Sequence, residues 1–136
     1  MALKLKLKPQ EKVVINGAVI QNGDRMAEIV VVNRAQVLRQ KDVLQEEEAN
    51  TPVKRAYYVA QLMLLDPQGA RQYWPRFQSL MQDLQSAFLN PEILSLLAKA
   101  LDSAEGKDYY VALSQLRKVM KYEQLVLQKA QPPLSE

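Results

Sequence analysis

Apolar and polar positions alternate strictly at the start of the chain, with Leu3, Leu5 and Leu7 set against Lys4, Lys6 and Lys8. A period of two predicts a strand that buries one face and turns three ammonium groups the other way. Pro9 ends it, because proline has no N–H for a ladder. Two apolar runs follow, Lys12–Ile15 and Ala18–Gln21, separated by Asn16-Gly17. That dipeptide predicts a hairpin, since both positions of a tight type I′ turn need positive φ. A second turn at Asn22-Gly23-Asp24 leads into a β-branched run from Met26 to Val32. Asn33-Arg34-Ala35 turns the chain again before a short strand, Gln36–Arg39. About five strands in so short a stretch predict an antiparallel meander or a small barrel. The sheet buries little surface and therefore needs the rest of the chain, or a second subunit, for stability.

From residue 51 the period changes. Thr51-Pro52, Asp66-Pro67 and Asn90-Pro91 each place an N-capping side chain before a proline at the first helical position, where the missing N–H costs nothing. Four helices are predicted, over about 52–65, 67–89, 91–105 and 108–129, with apolar residues recurring at three- and four-residue intervals. Pro75 predicts a kink in the second helix, or a later start near residue 75. Gly106 marks the end of the third. Gln131-Pro132-Pro133 opens a flexible tail, 131–136. The expected fold class is α+β: a small N-terminal antiparallel β-sheet, residues 1–50, followed by a C-terminal bundle of about four helices, residues 51–130.

Charge adds an asymmetry. The whole chain of 136 residues carries a net +3. Residues 1–41 hold eight basic side chains (Lys4, Lys6, Lys8, Lys12, Arg25, Arg34, Arg39 and Lys41) against Glu11, Asp24 and Glu28, and an acidic stretch, Asp42 and Glu46 to Glu48, follows. A basic first third calls for an anionic partner. On a strand, Lys4, Lys6 and Lys8 project at intervals of about 6.6 Å, near the phosphate spacing of an extended single strand of nucleic acid. The other five cations extend the patch, and counterion release would give it affinity without sequence readout. Lysines on an exposed strand also serve simply to keep sheets from pairing edge to edge. No aromatic residue lies in residues 1–50. Base stacking, if any, falls to helical residues such as Tyr57, Tyr58, Tyr73 or Trp74, which more often belong to a core or an interface.

Catalysis is not expected. With neither cysteine nor histidine, there is no thiolate, imidazole base or Cys/His zinc site, and no glycine-rich phosphate cradle is present. Three consecutive carboxylates at Glu46–Glu48 diverge on a regular backbone, so they read as a solvated connector and not as a metal site. No cofactor and no metal are expected. No stretch approaches the ~20 apolar residues of a membrane span, and the first residues lack the apolar core of a signal peptide, which points to the cytoplasm. The helices carry surplus apolar surface, since Leu113, Leu116, Met120, Leu125 and Leu127 cover more than one face of the last one. That surplus suggests docking to a protein or self-association.

The run Leu3-Lys4-Leu5-Lys6-Leu7-Lys8-Pro9, the segment from Glu11 to Arg25, Val37-Leu38-Arg39-Gln40-Lys41-Asp42, Thr51-Pro52 and Gln61–Pro67 resemble the FlbT family of flagellin regulators. The likeness is dense through residue 67 and looser beyond. The family usually has glycine after Pro9, where this chain has Gln10. The resemblance implies a post-transcriptional repressor that acts on the untranslated leader of flagellin mRNA and lowers its translation or lifetime. It acts with or against a small partner, FlaF; in some members the effect is activating. The family brings no catalytic residues. A shorter likeness, Glu11–Ile15 with Val37–Gln40, is similar to the carbon storage regulator family of small β-dimers that bind mRNA leaders. By position it implies RNA contacts for Lys4, Lys6 and Arg39. The expectation is therefore an RNA-binding regulator whose basic sheet holds a flagellin mRNA leader and whose helices mediate oligomerisation or partner docking. The alternative is a protein-interaction module that works through FlaF or flagellin without touching RNA.

Overall fold

The structure, a computed structural model, describes residues 2–130. The tail expected over 131–136 lies outside them. Five strands come first, β1 (Leu3–Leu7), β2 (Lys12–Ile15), β3 (Ala18–Gln21), β4 (Ala27–Val31) and β5 (Val37–Arg39), and four helices follow, α1 (Pro52–Leu65), α2 (Ala70–Ala87), α3 (Pro91–Glu105) and α4 (Tyr109–Ala130). The expected class is therefore observed, but the strands do not form a meander. β1 pairs with β4 in a two-stranded ribbon, Leu3 facing Val31 and Leu7 facing Ala27. β2 pairs with β3 on one side and β5 on the other.

Register assigns the faces, because directly opposed residues share a side. Val13, Ile15 and Val37 lie on one side of the three-stranded sheet, and Val14 and Leu38 on the other. The first set packs against Leu5 and Leu7 of the ribbon. The second joins the helical core. The three-stranded sheet is thus the middle layer, between ribbon and helices, which covers β2 and β5 on both faces while β3 stays exposed at the edge.

Local signals explain the turns. Asn16 and Gly17 have φ 51° and 85°, as a type I′ hairpin requires. Gln10 stands at φ 65°, the left-handed region that glycine enters without strain. The glycine that the resemblance implies after Pro9 would sit there freely. In this chain the Gln10 amide donates to Asp24 at 2.8 Å instead. Asn22 staples the same end of the fold, its amide donating to the Lys8 and Arg25 carbonyls at 2.8 Å each.

All three cap–proline boundaries form. Thr51 accepts from the Lys54 N–H, Asp66 from Gly69 and Asn90 from Glu92. The second differs from expectation. Asp66-Pro67 opens a 3-10 turn, Pro67–Gly69, and α2 then runs unbroken from Ala70 through Pro75. A Cβ at Gly69 would run into the Asp66 carboxylate, so a larger residue there has to displace that capping side chain. Pro75 falls in the second turn of α2, so only the Arg71 carbonyl loses its i+4 donor, and the helix starts well before it.

α1 is the central helix. Val53, Ala56, Val59, Ala60, Met63 and Leu64 are all buried, and α1 packs on both α2 and α4. It also holds the connector from β5. The buried Gln61 amide donates to the Leu44 carbonyl and accepts from the Leu44 N–H, each at 2.8 Å, and the Tyr57 hydroxyl donates to the Asp42 carbonyl at 2.6 Å. Glu46–Glu48 form an exposed 3-10 turn.

Candidate nucleic-acid interface

Leu5 and Leu7 are buried while Lys4 and Lys6 are exposed, so the ribbon turns its lysines outward together. Lys8 continues the row past the strand end and is exposed as well. The neighbouring strand shares this surface: Lys4 faces Val30 and Lys6 faces Glu28. Val30, and Met26 and Val32 just beyond the ends of β4, are exposed apolar side chains. The outer surface of the ribbon is thus a lysine row beside a mostly apolar row, with Glu28 as its acid. The apolar row escaped the sequence reading because the run Met26–Val32 does not show which of its residues face out.

The other five candidates are dispersed. Arg25 is exposed in the turn before β4. Lys12 is exposed, but its register opposite Gln21 sets it on the helix-facing side of the middle sheet. Its N–H takes the Gln40 side chain, beside the exposed Lys41. Arg34 pairs with Asp108 at 2.9 Å, its side chain 72% exposed. Asp108 also accepts from the Val111 N–H in the first turn of α4, so this pair fastens the β4–β5 loop to the helices.

Arg39 is the most constrained, with its side chain 24% exposed. Its guanidinium donates to the Lys6 carbonyl and to the Glu11 carboxylate, joining the ribbon to the middle sheet. The Lys8 N–H that Glu11 accepts, and then Arg39, hold the Glu11 carboxyl below the ordinary carboxylate range, while burial pushes the other way. A depressed folded-state pKa contributes stability above the unfolded value and loses it as pH falls through the folded one. Glu11→Gln should therefore lower the urea midpoint at neutral pH, and the gap to the parent should close as pH falls below 4.5.

Of the tyrosines and tryptophan, Tyr57 is buried and Trp74 half-buried. Trp74 lies against Phe77, ring centroids 5.8 Å apart, and lines a cleft of about 620 Å³ between the start of α2 and the α3–α4 turn. Among the described residues no cluster of three or more acidic side chains is placed to hold a metal ion, and no helix is long and apolar enough to cross a membrane.

The comparisons with known proteins match this chain over nearly its full length. The family described as Flagellar protein FlbT matches residues 3–127. A Probable flagellum biosynthesis repressor protein FlbT from a Caulobacter species is 40% identical over 90% of this chain and 94% of its own. The Flagellum biosynthesis repressor protein FlbT of Caulobacter vibrioides is 39% identical over 90% of this chain and 87% of its own. A Probable flagellum biosynthesis repressor protein FlbT of Mesorhizobium japonicum is 38% identical, over 92% and 84%. No solved structure matches. With the match running from β1 almost to the end of α4, the chain belongs to the FlbT family.

Proposed function

We propose that this chain regulates flagellin synthesis after transcription, by binding the untranslated leader of flagellin mRNA and lowering its translation or stability. The observation that carries the reading is the outward lysine row of the ribbon. Lys4 and Lys6 are exposed on one side of β1 with Leu5 and Leu7 buried, and Lys8 is exposed just past its end, a spacing suited to successive phosphates. The relatives' names, flagellum biosynthesis repressor, support a regulatory role. A leader held along the ribbon is closed to ribosomes or presented to nucleases, and the place of action is the cytoplasm.

Mobility shift of the leader RNA tests this. Lys4→Ala with Lys6→Ala should leave the fold intact, since both side chains are exposed, weaken binding, and reduce the slope of log affinity against log salt by about 1.5. Unchanged affinity and slope would refute the ribbon as the contact surface. Arg39→Ala is a poor probe, because it unlatches the two sheets whatever its role toward RNA.

A second reading has its own observation. Leu113 and Leu116 are buried, but Leu125, Val126 and Leu127 near the end of α4 are exposed, as is Leu89 before α3. This surface favours action through a protein partner such as FlaF or flagellin, or through a second copy of the chain. Regulation that survives loss of leader binding but not Leu125→Asp would select it.

A further inference from the structure

We infer that the Trp74 cleft is a nucleotide pocket: it takes one unpaired base of an RNA whose backbone lies on the lysine ribbon. This rests on the RNA reading above and supplies the aromatic platform that residues 1–50 lack. The cleft's construction suits a flat ring carrying an anion. Its volume of about 620 Å³ is in the range of small-ligand sites. Small buried side chains, Ala70 and Ala104, lie beside the buried Tyr109 in its lining. Trp74, supported on Phe77, offers a π-face, and every base can stack on one. Arg71 and Lys107 line it as cations, against one acid, Glu105. Pro75 deprives the Arg71 carbonyl of its helical donor, leaving an acceptor for an exocyclic amine at the same cleft.

Two observations connect the cleft to RNA in particular. The first is continuity. Lys4 pairs opposite Val30 near the end of β4. The chain runs on to Arg34, which is bound to Asp108 at 2.9 Å, and Gln36 accepts from the Tyr110 N–H at 2.9 Å. Lys107 is the residue before Asp108. The loop that leaves the ribbon is thus fastened one residue from Lys107, which lines the cleft with Arg71. The second is a held cation. Lys107 sits at φ 64° after Gly106 at φ −80°, and the Lys107 and Asp108 N–H groups donate to the Ala104 and Ser103 carbonyls, the left-handed close of a helix, which fixes the exposed Lys107 in the cleft lining.

Trp74 is the chain's single tryptophan, so its fluorescence reports on this cleft alone. The full-length protein is titrated with leader RNA and with oligo(A) and oligo(U). Quenching that saturates with binding is expected. Trp74→Leu keeps an apolar side chain over Phe77 and should weaken binding roughly five- to hundredfold with the salt slope unchanged. Lys107→Gly should raise Tm while weakening binding, a pairing that a purely structural role would not give. Leader RNA that binds without quenching, with Trp74→Leu equal to the parent, overturns the pocket and leaves the ribbon reading standing. A Trp74→Leu chain that keeps RNA but loses a protein partner overturns it in favour of a peptide site. Failure of any RNA to bind overturns both readings.

Discussion

Phe77→Ala should destabilise the protein by about 3–5 kcal/mol, the usual cost of truncating a fully buried aromatic ring. Phe77 is completely inaccessible and belongs to the core shared by α1, α2, α3 and α4. Removing its ring takes away both its transfer free energy and the contacts of the side chains around it, and a close-packed interior collapses only partly to compensate. Against a total of roughly 5–15 kcal/mol for an ordinary domain, the variant would sit near the edge of folding. Phe77→Leu, which keeps most of the volume, should cost much less. Urea denaturation followed by circular dichroism would measure both. Since Trp74 leans on the Phe77 ring, its emission in the Ala variant should also move toward that of a solvated indole before global unfolding.

Glu123→Ala should cost about 2–4 kcal/mol, a large effect for one polar side chain. Glu123 reaches from α4 to the start of α1, where one carboxylate oxygen accepts from the Thr51 hydroxyl and the other from the Val53 N–H at 3.1 Å. The residue is only 7% exposed, and Val53 is fully buried. Its charge also lies at the positive end of the α1 dipole. Truncation strands a buried N–H that water cannot reach and opens a small void. Glu123→Gln can still accept one of the two bonds without the charge, so it should lose about half as much. Equal losses for Ala and Gln would mean that charge and not hydrogen bonding is what matters there. Denaturant midpoints for the two variants settle the point.

The ends of the helices were legible in the sequence because their signals are local. Thr51, Asp66 and Asn90 cap with their own side chains within three residues. The Asn16-Gly17 hairpin was legible for the same reason. Strand pairing was not. Leu5 and Val13 lie on short strands of similar composition, and nothing in either says that β1 reaches past the β2–β3 hairpin to β4. Arg39 shows the same limit at the candidate site. Its charge is visible in the sequence, but its bond to Glu11 joins positions 28 residues apart. The alternation that set Lys4 and Lys6 outward held because a period of two needs no knowledge of the partner strand. The Trp74 cleft lies between helices distant in sequence, so the residue could be singled out as aromatic but not placed at an opening.

The pairing of β1 with β4 bears on how the protein is made. As the polypeptide leaves the ribosome, β2 and β3 can zip at once through their tight turn, whereas the leucines of β1 have no partner until β4 has emerged, and the middle sheet has no floor until α1 follows. Closing such distant contacts is slow, and during that interval a strand with bare leucines on one side is prone to join another nascent chain. The ammonium groups on its opposite side counter that hazard by mutual repulsion, so the same three lysines guard the newborn chain before its fold is closed.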